Sequence, residues 1–127
     1  MRADVAPLRV DAMSNSAGAP AARLVCAISD LVPGAGVGAR LGETQVALFH
    51  LPEETPAVYA IGNHDPIGGA NVLSRGIVGD LGGELVVASP LYKQHFSLVT
   101  GRCLEDDAVA VPVFRVLVSD GYVYLVP

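Results

Sequence analysis

The sequence predicts an all-β fold of about nine short strands, paired antiparallel into a sandwich or barrel. Three observations carry this. Apolar runs of strand length recur from residue 24 to the end of the chain, separated by Gly, Pro, Asn and Asp. Two dipeptides, Gly82-Gly83 and Asp120-Gly121, sit between such runs as two-residue hairpin turns. No window of 11 or more residues has apolar spacing at three and four without an interrupting Gly or Pro, so helix content is expected to be very low.

Residues 1–21, MRADVAPLRVDAMSNSAGAPA, mix Ala, Ser, Gly, Asn and Pro without a sustained period and read as a flexible leader. The folded domain is expected over 22–127. Its first strands are Leu24 to Ser29, Val37 to Leu41, Gln45 to Leu51 and Ala57 to Ile61, with turns at Pro33-Gly34, Gly42-Glu43 and the Pro52 to Pro56 stretch. A hairpin follows, Ile77 to Leu81 and Glu84 to Ala88, after a segment GGANVLSRG that fits one helical turn or a structured loop. The chain then gives His95 to Thr100, Val111 to Ser119 and Tyr122 to Val126, with Glu105-Asp106-Asp107 as solvated turn acids. This pattern alone fits an SH3-like barrel, an OB barrel or a Rieske sandwich.

Bulk properties narrow the function. The 127 residues make one domain with one core. A net charge of −5, with eight Lys and Arg scattered singly, argues against nucleic acid. No apolar run reaches the roughly 20 residues of a membrane span, and the N-terminus lacks the basic start and apolar core of a secretory signal, so the cytoplasm is expected. A hydrophobic content of 51% with 17% charged residues fits a filled β core or an apolar surface that a partner covers. Cys26 and Cys103 have no His or Cys at metal-ligand spacing and read as buried free thiols. No nucleophile elbow or phosphate loop is present; Gly34 to Gly38 imitates a dinucleotide fingerprint but precedes no helix. His50, among Ala47, Leu48 and Phe49, reads as an ordinary strand histidine.

Two loops carry the sharper text. Ile61-Gly62-Asn63-His64-Asp65-Pro66 follows one apolar run, and Ser89-Pro90-Leu91-Tyr92-Lys93-Gln94-His95 follows another, each with a histidine near its tip. Paired loops of this kind build the Rieske iron–sulfur pocket, where Cys-x-His and Cys-x-x-His give two cysteines to one iron and two histidines to the other. Laid on that pattern, the first loop puts Gly62 at the cysteine and His64 at the histidine, while the second puts Ser89 at the cysteine and Tyr92 at the histidine. Only His64 is then a competent ligand, and no cluster is expected. On its own, His64-Asp65 reads as a loop stabiliser, with the Asp65 carboxylate accepting backbone N–H bonds and Pro66 fixing the turn. Tyr92, Lys93 and His95 fit partner contact and a plain solvated loop equally well.

A Rieske-like frame with NHDP in its first loop and SPLYKQHFSL in its second resembles the small subunit of assimilatory NAD(P)H-dependent nitrite reductase. The resemblance runs from about Leu24 to Val126 and is carried best by Ala60 to Pro66, Leu73 to Gly79 and Ser89 to Leu98. It chooses the Rieske sandwich among the β folds. It implies a non-catalytic subunit without cofactor, beside a large subunit that holds FAD, an iron–sulfur cluster and sirohaem and reduces nitrite to ammonium. The vestigial cluster positions would be Gly62, His64, Ser89 and Tyr92, and the partner-facing residues His64, Tyr92, Lys93 and His95. The alternative is a stand-alone electron carrier or ligand-binding β domain, which needs a bound chromophore.

Overall fold

The computed structural model describes residues 22–126, so the leader expected over 1–21 lies outside the described residues. Thirteen strands are present among them: β1 (Arg23–Ala27), β2 (Gly36–Leu41), β3 (Thr44–His50), β4 (Val58–Gly62), β5 (His64–Asp65), β6 (Ala70–Asn71), β7 (Ile77–Leu81), β8 (Glu84–Ala88), β9 (His95–Ser97), β10 (Arg102–Cys103), β11 (Asp106–Ala110), β12 (Val113–Ser119) and β13 (Tyr122–Val126). The nine expected strands are all there. The four additional ones are β5, β6, β10 and β11, of which three are two residues long and β11 begins on two acids and is largely exposed. Helix is confined to two three-residue 3-10 turns, Ile28–Asp30 and Leu73–Arg75, the second of them inside the GGANVLSRG segment.

The strands form two main antiparallel sheets, β1-β13-β12-β4-β3-β2 and β11-β10-β9-β8-β7, with β5 and β6 as a small ribbon. The hairpin turns follow the chemistry of their residues. Gly82 (φ 61°) and Gly83 (φ 92°) join β7 to β8, and Asp120 (φ 52°) and Gly121 (φ 81°) join β12 to β13, so both positions of each turn are left-handed, as the twist of a two-residue hairpin requires.

Strand β3 explains how the sheets are held together. Its run Val46-Ala47-Leu48-Phe49 is continuous rather than alternating, and all four residues are inaccessible to solvent. Ala47 and Phe49 belong to one core, with Ile61, Val87, Phe96 and Leu98, which fills the space between the two sheets. Val46 and Leu48 belong to a second, with Val25, Ala39, Val123 and Leu125, over which the six-stranded sheet curls back on itself. Where a strand is covered on both faces it has no polar side to show, and the run from Val46 to Phe49 is apolar at every position for that reason. The far ends of β4 and β8 lead directly into the two loops.

Candidate functional site

The first loop is shaped by two buried polar side chains. Strand β4 ends at Gly62, which is paired with Val46 and donates its N–H to the Pro112 carbonyl (2.9 Å). Asn63, next, is almost fully buried. Its Oδ1 accepts the Ser74 N–H (2.7 Å), its Nδ2 donates to the Asn71 carbonyl (3.4 Å), and its own carbonyl accepts the Leu73 N–H (3.1 Å). One asparagine thus folds the segment through Ser74 back against the end of β4.

Asp65 is fully buried. Its Oδ1 accepts the N–H groups of Ile67 (2.8 Å) and Gly68 (3.0 Å), the turn-stabilising role expected of it. Its Oδ2 accepts the hydroxyl of Ser89 on the second loop (2.5 Å). Burial opposes ionisation of this carboxyl, but the bonds from Ser89, Gly68 and Ile67 and the nearby His64 outweigh it and hold the carboxyl below its usual range.

The second loop closes on Ser89, which is also fully buried. The Ser89 N–H donates to the Gln94 carbonyl (2.9 Å), the Ser89 carbonyl accepts the Lys93 N–H (3.0 Å), and Ser89 Oγ accepts the Leu91 N–H (3.2 Å). Lys93 takes up the left-handed region (φ 68°), which turns the chain at the tip. Tyr92 is left 64% exposed beside Leu91, at 42%. Leu91 packs over Gly68, where a Cβ atom would run into its side chain.

The six residues singled out in the sequence are therefore only partly brought together. Tyr92 and Lys93 stand exposed at the tip of the second loop, and His64 is exposed on the first, its Nδ1 3.1 Å from Asn71 Oδ1. His95 is half-buried and tied down: its N–H donates to Glu105 Oε1 (2.8 Å) and its Nδ1 lies 2.6 Å from Glu105 Oε2. Glu105 is thus no solvated turn acid. The His95 N–H, and the ring after it, hold its carboxyl below the ordinary range against the effect of burial.

Gly62 needs the larger correction. It lies in the β4 ladder and not on the loop, and the side chain that faces Ser89 is Asp65, three positions further on. Two cysteines that share one iron must face each other across the loops. The Cys-x-His pattern therefore falls on Asp65-Pro66-Ile67, and His64 leaves the ligand set. The four positions Asp65, Ile67, Ser89 and Tyr92 offer a carboxylate that is already triply hydrogen-bonded, an aliphatic side chain, a hydroxyl and an exposed phenol. That donor set does not fit an iron–sulfide centre, which takes thiolate and imidazole. Among the described residues no three His, Cys, Asp or Glu side chains converge on a metal-sized space. Cys26 and Cys103 are free thiols, Cys103 buried and Cys26 half-buried, and burial, with Asp30 nearby, pushes Cys26 up to about 11. No helix among the described residues is long and apolar enough to cross a membrane.

A two-sheet β sandwich that presents two buried-serine and buried-aspartate loops at one end is a Rieske-like domain, and the family described as "Rieske-like [2Fe-2S] domain" matches residues 23–126. The nitrite reductase (NADH) small subunit of Salmonella typhimurium is 48% identical over 101 residues, which cover 80% of this chain and 93% of that one. The solution structure of the Escherichia coli protein NirD superposes with a TM-score of 0.72 at 46% identity, over 79% of this chain and 90% of that one. The nitrite reductase [NAD(P)H] large subunit of Klebsiella oxytoca is also 46% identical over 101 residues, 80% of this chain but only 10% of that protein. The chain belongs to the nitrite reductase small-subunit family.

Proposed function

We propose that the chain is the non-catalytic small subunit of an NAD(P)H-dependent nitrite reductase, that it holds no cluster of its own, and that it docks on a large subunit through the tip of its two loops. The Klebsiella relative carries this reading. There a stretch homologous to this domain is part of the large-subunit polypeptide itself, so the two components work side by side in one molecule. A domain that lies within the large subunit of the Klebsiella protein, and that spans nearly all of the Salmonella small subunit, must in the second case supply by docking what the covalent link supplies in the first. The flavin, iron–sulfur cluster and sirohaem that nitrite reduction to ammonium requires then reside in the partner. The absence of a cluster rests on the donor chemistry at Asp65, Ile67, Ser89 and Tyr92. Leu91 and Tyr92 are exposed apolar side chains on the second loop, Lys93 follows them in the chain and His64 is exposed on the first loop, the composition of an interface centre with a polar rim.

The test is co-expression with the large subunit. A stable complex is expected, with NAD(P)H oxidation coupled to nitrite in the complex and none in the isolated chain. Tyr92→Ala should weaken assembly by about 2 kcal/mol, roughly thirtyfold, while the free domain stays folded. Glu53→Ala is the control, since Glu53 is exposed at the opposite end of β3 and β4 and should leave affinity unchanged. Full-strength assembly by a folded Tyr92→Ala, Lys93→Ala double variant moves the interface elsewhere. Stoichiometric iron and acid-labile sulfide in chain purified without air overturns the cluster-free reading.

A further inference from the structure

We infer that Asp65 and Ser89 form a latch between the two loops and are positioning residues for Leu91 and Tyr92, closing the tip by a carboxylate–hydroxyl bond where a pair of metal-bound cysteines would close it in a cluster-bearing domain. The inference deepens the docking reading above and rests on it for its functional half.

Four observations support it. The Ser89 Oγ to Asp65 Oδ2 bond is the one side-chain hydrogen bond that joins the two loops among the described residues. Both partners are fully buried, so neither has water as a substitute, and a group that lost its partner there would bear the whole cost of desolvation. The hydroxyl is used twice, because Ser89 Oγ also accepts the Leu91 N–H and so transmits its position to the backbone that leads into Tyr92. The carboxylate is in turn fixed by the Ile67 and Gly68 N–H groups, and Gly68 is the residue on which the Leu91 side chain rests. The position of Tyr92 therefore depends on a chain of contacts that starts at Asp65. Without the latch, the tip is a left-handed turn at Lys93 held only by bonds within its own loop.

The experiment uses Ser89→Ala and Asp65→Asn in the full chain, each alone and with Tyr92→Ala. Amide exchange at Leu91 is read in the free domain, and dissociation constants are read with the large subunit. Leu91 exchange is expected to quicken by roughly tenfold or more in both latch variants while exchange in β3 is unchanged. The roughly thirtyfold loss caused by Tyr92→Ala should shrink to about threefold or less in a latch variant, because a tyrosine already out of place has little left to lose. A residue that merely stabilised the fold would leave that factor intact. Unchanged Leu91 exchange in both variants, or an equal Tyr92→Ala factor in every background, overturns the latch. If Tyr92→Ala is harmless in the wild-type chain, the docking reading fails instead, and Leu91 exchange alone then decides whether the latch exists. Should Ser89→Ala not fold, Asp65→Asn carries the same measurements.

Discussion

The hydrogen bonds that Asp65 accepts outweigh its burial and hold its carboxyl below the ordinary range. A carboxyl whose folded value is depressed contributes stability above its unfolded value, about 4, and loses that contribution as pH falls through the folded value. Urea unfolding of wild type and Asp65→Asn should therefore differ most near pH 7, and the gap should narrow below about pH 4. Gly121 makes a different kind of prediction. Nothing lies within 4 Å of a Cβ built there, so Gly121→Val should cost about 1–3 kcal/mol through its φ of 81° alone, with no clash to relieve. A thermal midpoint equal to wild type would refute it. Residue chemistry was legible where it is local: the Asp65-Pro66 turn and the Asp120-Gly121 hairpin each follow from a few neighbouring side chains. The ligand register was not, because His64 is the imidazole that catches the eye in the first loop. Nothing in Ile61-Gly62 tells that the strand continues through Gly62 into a bond with Pro112.

Elements were legible in proportion to how apolar they are. β7, β8 and β13 begin and end where their sequences predict, since each is an apolar run beside a Gly-Gly or Asp-Gly turn. Strands β10 and β11 escaped notice because one is two residues long and the other starts on Asp106-Asp107 at the exposed edge of its sheet. Missing them hid Glu105, which sits in the turn between them and reaches across to the start of β9. Glu105→Ala should accordingly destabilise by about 1 kcal/mol, by removing the acceptor of the His95 N–H. Glu105→Gln, which keeps an acceptor, should recover part of that loss in thermal unfolding. The pair is exposed enough that the ionic component adds little.

At the scale of the whole molecule, strands β3 and β4 give side chains to both cores, and the largest of those on β3 decides how firmly the sheets are joined. Phe49, fully buried between them, should cost about 3–5 kcal/mol when truncated to alanine, enough to unfold a marginal domain. A chemical-denaturation midpoint little changed by Phe49→Ala would mean that the inter-sheet core collapses around the gap. The overall architecture was legible only as a class of β folds, since strand count and turn chemistry do not record which sheet curls over which.

The pairing of β1 with β13 sets Arg23 directly opposite Leu125, so chain enters and leaves the domain through adjacent rungs of one ladder, where facing Cα atoms stand about 5 Å apart. A unit with neighbouring entry and exit is portable: it can be grafted into a surface loop or onto an end of a longer polypeptide without spreading the host's backbone. Gene fusion and fission are then structurally cheap events for this domain, and its occurrence both as a separate chain and within a much larger one needs no change of fold.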